Sequence, residues 1–199
     1  MGVTLSRGRQ LWLRAGQELL RRGGIAAVKL QAMTEELDLT TGSFYHHFSS
    51  MAEFVDQLAT FYGDDQAVNG LQLADDPDPL IRLRRLHEVS LDERLGPLDA
   101  AMRDWAGSNA TARAAVEHAD RQVLLFIERA FRDLGHPGRA AQIRAHLMFA
   151  MGVARIAPPW PSARTEFDEV LTLLAGPVLV RTTAGITSPL AAVRRSTPA

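Results

Sequence analysis

The chain contains no cysteine and few aromatic residues. Its 199 residues are 46% hydrophobic but only 7% aromatic. The absence of cysteine excludes disulfide bonds and thiolate metal sites, so a disulfide-stabilised extracellular fold is not expected. With few rings available, alanine, leucine and valine must fill much of the core. We expect one large domain, or a small domain joined to a larger one.

The sequence also lacks a long apolar run. A membrane-spanning helix would require about 18 consecutive apolar residues, and no such stretch is present. The first apolar segment, residues 5–20, is interrupted by three arginines and a glutamate, so it does not resemble a signal peptide. We therefore expect a cytoplasmic protein that does not bind a membrane.

The charge of the chain is nearly balanced but unevenly distributed. The formal net charge is −1. Residues 1–50 contain six basic and four acidic side chains, whereas residues 51–80 contain seven acidic side chains and no arginine or lysine. This asymmetry fits an N-terminal unit that meets a polyanion. A mixed, solvated surface explains the same charges, and charge alone favours that simpler interpretation.

Hydrophobic spacing predicts an all-α fold of about nine helices. No convincing run of alternating β-branched residues is present, and apolar residues recur at helical intervals. Ser6, Thr40 and Ser50 are predicted helix caps, and Glu53 is placed to complete a capping box with Ser50. The two prolines within residues 75–79 mark the clearest boundary. The helices are expected at 6–22, 29–37, 40–47, from 51 onwards, and at 79–93, 97–107, 110–134, 138–156 and 165–181.

These elements divide the chain into four parts. Residues 1–50 are predicted to form a three-helix helix-turn-helix domain, followed by a linking helix over 51–76. Residues 77–182 are predicted to form a larger helical body. Residues 183–199 are rich in Thr, Ser, Pro and Ala and are predicted to be a disordered tail.

Residues 40–48, with the sequence Thr-Thr-Gly-Ser-Phe-Tyr-His-His-Phe, have the character of a recognition helix. Phe44 and Phe48 are four residues apart and are expected to point into the core. Thr41, Tyr45 and His46 are then left facing outward, where a helix that enters the major groove needs polar groups. The candidate DNA-binding residues are Lys29, Gln31, Thr40, Thr41, Gly42, Ser43, Tyr45, His46 and His47.

This stretch resembles the recognition-helix signature of the TetR family of transcriptional regulators. The family pattern has nine positions. In order they are a small hydroxyl residue; any residue; Gly; either Ser or Thr; an apolar residue; Tyr; any residue; His; and Phe. The segment from Trp12 to Gly23 resembles the first helix of the family, and the motif-level resemblance covers about residues 7–58. The resemblance implies a DNA-binding regulator whose helical body, residues 77–182, binds an effector and forms a two-fold dimer. No cofactor is expected.

Three positions depart from the family pattern. Lys29 stands near the start of the second helix, where Ser or Thr is usual; it cannot cap a helix but can reach a phosphate. Asp38 replaces a glycine before the turn, and Asp tolerates the left-handed conformation acceptably. Met51 stands where a lysine usually follows the serine. The absence of this lysine removes one phosphate contact, so weaker DNA binding is predicted.

Histidines and acids permit other interpretations, which the sequence favours less. His46 and His47 point about 100° apart on a helix, so they are poorly placed to share one ion, and no metal site is expected. Glu117-His118 and His87-Glu88 lie on charged helix faces without a nucleophile pattern, so no enzyme is expected. Packing and solvation remain open alternatives for two candidate contacts, Tyr45 and Gln31.

The helical body contains bulky side chains and two apolar stripes at helical spacing. Met and aromatic residues often line adaptable apolar cavities. The pocket candidates are His87, Met102, Trp105, Phe126, Met148 and Phe149. The residues of the two stripes are the dimer-interface candidates: Ile143, Leu147, Ala150, Met151, Phe167, Val170, Leu171 and Leu174. An ordinary core is the alternative for both sets. The proline-rich segment 158–161 is a candidate lid, partner contact or surface loop.

The sequence therefore predicts a homodimer that binds a palindromic operator in double-stranded DNA. An unknown small-molecule effector is expected to release it, as for a repressor. One alternative is a regulator that needs no effector. Another is a helical small-molecule carrier or enzyme with weakened DNA binding, an interpretation to which Met51 and the acidic segment 51–80 give some weight.

Overall fold

The computed structural model describes residues 5–154 and 166–177, apart from the side chains of residues 64–69. Every regular element within these ranges is helical, which confirms the predicted all-α class. None of these helices combines the length and apolar character needed to cross a lipid bilayer. A 3₁₀ turn, Ile25–Ala27, follows the first of them. The α-helices are α1 (Arg7–Gly23), α2 (Leu30–Leu37), α3 (Thr41–His47), α4 (Met51–Ala74), α5 (Pro79–Ser90), α6 (Leu95–Ala106), α7 (Ala110–Asp133), α8 (Gly138–Ala154) and α9 (Glu166–Ala175).

Capping side chains and two unusual backbone conformations delimit the first three helices. Ser6 and Thr40 each accept a hydrogen bond from the backbone N–H group three residues later, at the starts of α1 and α3. Gly24 ends α1 with a φ of 66°, which costs glycine nothing. Asp38 ends α2 in the left-handed conformation, with a φ of 51°. α2 and α3 are therefore joined by a tight turn, as a helix-turn-helix requires.

Four aromatic rings form the centre of the N-terminal core. Trp12, Phe44, Phe48 and Phe54 are each no more than 1% exposed. The centroids of contacting rings lie 5.1 to 5.5 Å apart, and burying each ring contributes roughly 1.5–3 kcal/mol. Because Phe44 and Phe48 both belong to this cluster, they fix the rotation of α3 about its axis and turn its opposite face to solvent.

The N-terminal core continues into the helical body. Leu98, Met102 and Trp105 of α6 are buried in the same cluster as the aromatic rings, and α6 packs against α1. Residues of α4 and α7 complete this cluster. A displacement of α6 must therefore move α1 or open a shared core. The domain boundary near residue 50 stays a prediction. Side chains from both sides of this position pack in the same core.

A second core joins α5, α7, α8 and α9. Arg82, which is 6% exposed, lies at its edge. Its guanidinium group donates to the backbone oxygen of Asp76 at 3.0 Å and to the carboxylate of Asp133 at 2.8 Å. These bonds fasten the α4–α5 turn to the end of α7. The core itself contains Leu83, Ile127, Ala130, Phe131, Ala141, Ala145, Met148 and Leu171.

The start of α6 and the ends of α5 and α9 differ from the sequence-based prediction. α6 begins at Leu95 rather than at 97, because Pro97 lies in the first helical turn, where a missing N–H breaks no intrahelical bond. α5 ends at Ser90 rather than at 93, and the Asp92 carboxylate organises the turn that follows. α9 ends at Ala175 rather than at 181. The proline-rich segment 158–161 and the predicted tail 183–199 lie outside the described residues.

Candidate nucleic-acid interface

α3 presents a polar face to solvent. Thr41, Gly42 and His46 are exposed, and 55% of the Tyr45 surface is accessible. The Tyr45 ring packs edge-on against Phe44, with the ring centroids 5.3 Å apart. The core therefore supports the tyrosine ring while leaving most of it open to a ligand.

At the start of α3, the Thr40 hydroxyl is engaged in a hydrogen bond, and the backbone at Gly42 is accessible. Thr40 Oγ1 accepts the N–H group of Ser43 at 3.3 Å, so the Thr40 side chain acts as the helix cap. Ser43 is half-buried. Among the described residues, a Cβ atom at Gly42 would have one neighbour within 4 Å, Thr40 Oγ1 at 3.7 Å. No described neighbour requires glycine here for space, and its absent side chain leaves the backbone of α3 open to approach.

The two histidines of α3 have different environments. His46 is exposed, whereas His47 is half-buried. The His47 ring lies over Gly8 of α1, where an added Cβ atom would come within 2.5 Å of Nε2. The two rings are 5.0 Å apart and inclined at 71°. His47 therefore packs α3 onto the start of α1, and His46 is the more accessible of the pair.

α2 places two further candidate contacts beside α3. Lys29 is exposed, and its side chain makes no capping hydrogen bond, as expected. It is the only arginine or lysine between residues 25 and 50. Gln31 is also exposed, but its amide donates to Glu35 at 2.9 Å. A base contact through Gln31 would have to replace that bond.

A carboxylate holds the junction between α3 and α4. Ser50 Oγ accepts the N–H group of Glu53 at 3.1 Å, as predicted. The Glu53 carboxylate accepts the N–H and hydroxyl groups of Ser49 at 2.7 and 2.6 Å. The capping box therefore closes one residue before the expected position. Arg9 of α1 pairs with the same carboxylate, and the Ser49 hydrogen bonds, with the Arg9 charge, lower the pKa of Glu53.

Met51 begins α4 beside this junction. It is half-buried and packs against the N-terminal core. The position that a lysine usually occupies in the family pattern therefore contributes an apolar contact in this chain. Met51 therefore adds no positive charge to this surface.

The helical body contains a cavity of about 940 Å³, lined by residues of α4 to α9. Small-molecule sites commonly measure about 300–1,000 Å³. Three of the pocket candidates line it: His87, Met148 and Phe149. The His87 ring stacks on Phe167 with a centroid distance of 3.8 Å. Burial lowers the pKa of His87 below its ordinary value, so the ring is neutral at pH 7.

The other three pocket candidates, Met102, Trp105 and Phe126, do not line this cavity. Met102 and Trp105 are buried in the core that α6 shares with α1, and Phe126 is half-buried on α7. Helical spacing identifies an apolar face but not the neighbour that the face meets. A core position and a cavity position therefore have the same sequence pattern.

A polar network that the sequence analysis missed lines one side of the cavity. The Tyr62 hydroxyl donates to Asp99 Oδ1 at 2.8 Å. Arg103 Nε donates to Asp99 Oδ2 at 3.0 Å, and its terminal nitrogens donate to Asp120 at 2.6 and 3.0 Å. Burial alone would lower the pKa of Arg103, but the hydrogen bonds to Asp120 and Asp99 raise it. The spacing of Asp99 and Arg103, four residues apart, is the sequence signal for half of this network.

The apolar stripe predicted on α8 is open in the protomer. Ile143, Leu147 and Met151 are 48%, 52% and 53% exposed, and Ala150 is exposed as well. Large apolar side chains that share one helix face are costly to leave in water. This face is therefore the candidate surface for a second subunit.

The stripe predicted on α9 instead faces the protomer interior. Leu171 is 2% exposed, and Phe167 and Leu174 pack against the second core. Val170 lines the cavity. The protomer itself covers Leu171, so this residue is not available to a partner subunit in this structure. The large apolar residue that α9 exposes is Leu173, at 80%.

A family model supports the interpretation of the N-terminal helices. Residues 13–58 match the model for bacterial regulatory proteins of the tetR family. The match includes α2, α3 and the aromatic residues that orient α3, and it confirms the resemblance found in the sequence. No curated protein matches the chain significantly.

Solved structures extend the likeness to the helical body. A TetR transcriptional regulator from Legionella pneumophila has a TM-score of 0.62 at 10% identity, over 86% of this chain and 97% of that chain. A transcriptional regulator from Rhodococcus sp. Rha1 has a TM-score of 0.63 at 15% identity, over 84% and 93%. The multidrug binding protein EbrR, complexed with imidazole, has a TM-score of 0.58 at 16% identity, over 90% and 99%. At these identities the likeness shows a common fold.

Proposed function

We propose that the chain is a transcriptional regulator. The premise is that residues 13–58 form a TetR-family DNA-binding domain and that the whole chain has a TetR-like fold. It acts in the cytoplasm as a homodimer, with one α3 helix of each subunit in the major groove of a near-palindromic operator. It is a binding protein and not an enzyme. A small-molecule effector that occupies the cavity releases it from DNA, so that it acts as a repressor.

The observation that carries the DNA-binding part is the orientation of α3. The buried Phe44 and Phe48 leave Thr41, Tyr45 and His46 on the solvent side, next to the side-chain-free position Gly42. These side chains offer hydroxyl and imidazole groups to base edges and phosphates. Lys29 supplies the nearby positive charge, while Thr40, Ser43 and His47 position the helix. Gln31 is a secondary contact, because its amide is engaged within α2.

The packing of α6 supports effector control. Asp99 and Arg103 of α6 line the cavity, whereas Met102 and Trp105 of the same helix pack in the core shared with α1. A ligand that moves α6 must therefore either move α1 of the DNA-binding domain or open this shared core. Release then follows from a difference in ligand affinity between two domain arrangements, and such couplings are typically worth about 1–3 kcal/mol.

The α8 stripe supports the homodimer. A single seven-residue recognition helix reads few base pairs, and two half-sites related by two-fold symmetry supply the remaining contacts. Ile143, Leu147 and Met151 offer one open apolar face for this purpose. Leu173 of α9 extends the exposed apolar surface of the body.

A retardation assay with DNA flanking the gene of this protein tests the DNA-binding part. The protein is expected to retard this DNA in preference to unrelated DNA of equal length, with an affinity that falls as salt increases. Thr41→Ala removes a hydroxyl from the exposed face of α3 and is expected to weaken binding about tenfold. Thr60→Ala, which changes an exposed threonine of α4, is the matched control and should bind as the wild type does.

Two observations favour a second function on the same fold. The half-buried Met51 packs against the core where a phosphate-binding lysine is usual, and the cavity is large enough for a small molecule. A helical carrier, or an enzyme, that has lost DNA binding would show both features. The absence of DNA retardation even at low salt would support this alternative, whereas sequence-preferring retardation excludes it.

A further inference from the structure

The chain contains a single lysine, and this lysine lies on the candidate nucleic-acid interface. Only one of the 22 basic side chains is a lysine, Lys29, and all the others are arginines. Lys29 is exposed and immediately precedes α2, which packs against the recognition helix α3. The first helix of a helix-turn-helix crosses the DNA backbone, so the Lys29 ammonium group is placed to meet a phosphate. The only side-chain amine of the protein is therefore found where a change of charge affects DNA binding.

Most arginines of the DNA-binding domain are engaged by other side chains. Ion pairs with glutamates hold Arg9, Arg21 and Arg22, and Arg14 lies over the ring of Phe61. Within residues 5–50, Arg7 and Lys29 are the basic side chains for which the described structure contains no partner. Lys29 therefore carries one of the two unpaired positive side-chain charges of this domain.

Lysine differs from arginine in its reactivity toward acyl donors. The amine of lysine is a nucleophile in its neutral form, whereas the guanidinium group of arginine stays protonated. When an acyl phosphate reacts with the amine, an amide N–C bond forms and the C–O bond to phosphate breaks. Inorganic phosphate leaves and takes a proton from the nitrogen. The product is a neutral amide, so the side chain loses its positive charge.

The surroundings of Lys29 favour a small donor that arrives from solvent. Lys29 lies outside the cavity of the helical body, and in the described structure no ion pair or capping hydrogen bond restrains its amine. An acyl phosphate is small and needs no binding site for a large carrier such as coenzyme A. The exposed amine is therefore open to direct transfer.

We propose that Lys29 is an acylation site, and that transfer of a short acyl group from an acyl phosphate weakens DNA binding. The modification itself does not depend on DNA recognition, whereas its effect on affinity rests on the proposed function. Acylation removes one phosphate contact from each subunit, because a neutral amide does not replace the ammonium charge. DNA bound to the interface covers Lys29, so bound DNA and the acyl donor compete for the same side chain.

Incubation of the full chain with acetyl phosphate, followed by peptide mass spectrometry, tests the modification. The peptide that contains Lys29 is expected to gain one acetyl group, and DNA flanking the gene of this protein is expected to slow the reaction. Faster modification by acetyl coenzyme A at equal concentration would reject the acyl phosphate as donor. Retardation assays then measure the effect on DNA binding. Affinity is expected to fall about tenfold on acetylation, and the slope of log affinity against log salt by about 0.9 per subunit.

Two variants separate the effect of Lys29 from other reactions of acetyl phosphate. Lys29→Arg keeps a positive charge but has no side-chain amine, so its DNA affinity should be the same before and after treatment. The double variant Lys29→Arg/Arg121→Lys moves the only lysine to an exposed position of α7 outside the cavity lining. Acetylation of this relocated lysine should also leave DNA affinity unchanged.

The modification site and the effect on DNA binding can each be rejected separately. An unmodified Lys29 under conditions that acetylate the relocated lysine overturns the site. The effect on binding is overturned if acetylated wild type binds DNA as tightly as before. An equal loss of affinity in treated Lys29→Arg also overturns it, because another group, such as the N-terminal amine, is then responsible. If the untreated protein retards no DNA even at low salt, the proposed regulator is rejected, while mass spectrometry still decides whether Lys29 is an acylation site.

Discussion

Gly42 is a residue at which helix stability and DNA binding make opposite demands. A Cβ atom there meets no close neighbour, because its nearest contact is Thr40 Oγ1 at 3.7 Å. Gly42→Ala should therefore stabilise the fold by about 0.5–1 kcal/mol, measured by urea denaturation. The new methyl group projects near the exposed face of α3, and we expect DNA affinity to fall about tenfold. Gly70→Ala, a helix-interior control in α4, should leave DNA affinity unchanged. Unchanged DNA affinity in Gly42→Ala would show that the α3 backbone does not approach DNA closely.

Met51 is a residue at which DNA affinity can be increased. A lysine at this position can keep its methylene groups against the core while its ammonium group reaches solvent. Met51→Lys should therefore add one phosphate contact and steepen the dependence of log affinity on log salt by about 0.9. Titrations of operator DNA at several salt concentrations measure this slope. Leu73→Lys, which adds the same charge to an exposed site of α4 (68% exposed), is the control. Equal steepening by both variants would indicate a general charge effect and no contact at position 51.

At the scale of the helix, Glu53 makes the α3–α4 junction sensitive to pH. The hydrogen bonds from Ser49 and the charge of Arg9 lower its pKa in the folded state. A carboxylate with a lowered pKa stabilises the fold above its ordinary pKa, and this contribution is lost as the pH falls through the lowered folded value. Glu53→Gln should therefore unfold at lower urea concentration than the wild type at pH 7, and the difference should shrink as the pH falls to about 4 and below. Glu93→Gln, which changes an exposed glutamate between α5 and α6, is the control. A difference that stays constant over this pH range would contradict the role of the carboxylate charge.

The helices differ in how much of them the sequence could predict. α3 was predictable in both extent and orientation, because its cap, its two phenylalanines and its turn are local features. The start of α6 was misplaced because Pro97 is also compatible with a first helical turn. Only half of the six pocket candidates line the cavity. Trp105 and Met148 have similar local patterns, but Trp105 meets α1 and Met148 lines the cavity. Such choices depend on how distant helices pack, which the periodicity of one helix does not contain.

At the scale of the whole molecule, one helix connects the two candidate sites. α6 contributes Met102 and Trp105 to the core around Trp12, and it contributes Asp99 and Arg103 to the cavity. Close-packed cores do not deform continuously, so a shift of α6 is transmitted to α1 as a repacking between discrete arrangements. The network through Tyr62 also connects α6 to α4, which runs directly from the recognition helix. Under the proposed function, a ligand bound beside this network would change the spacing of the two α3 helices of a dimer.

That spacing has meaning only if the protein is a dimer, and the α8 face provides the test. Leu147 lies near the middle of the exposed stripe, between Ile143 and Met151, and is itself 52% exposed. Leu147→Glu places a charge where a dimer interface would exclude water, and an unpaired buried charge is strongly destabilising. Sedimentation velocity at micromolar concentration should show a dimer for the wild type and a monomer for Leu147→Glu. Leu73→Glu, at a more exposed leucine of α4, should remain a dimer. If Leu147→Glu is also a dimer, the subunits associate through another surface. If the wild type is a monomer, the two-half-site arrangement on which the proposed operator recognition depends is ruled out.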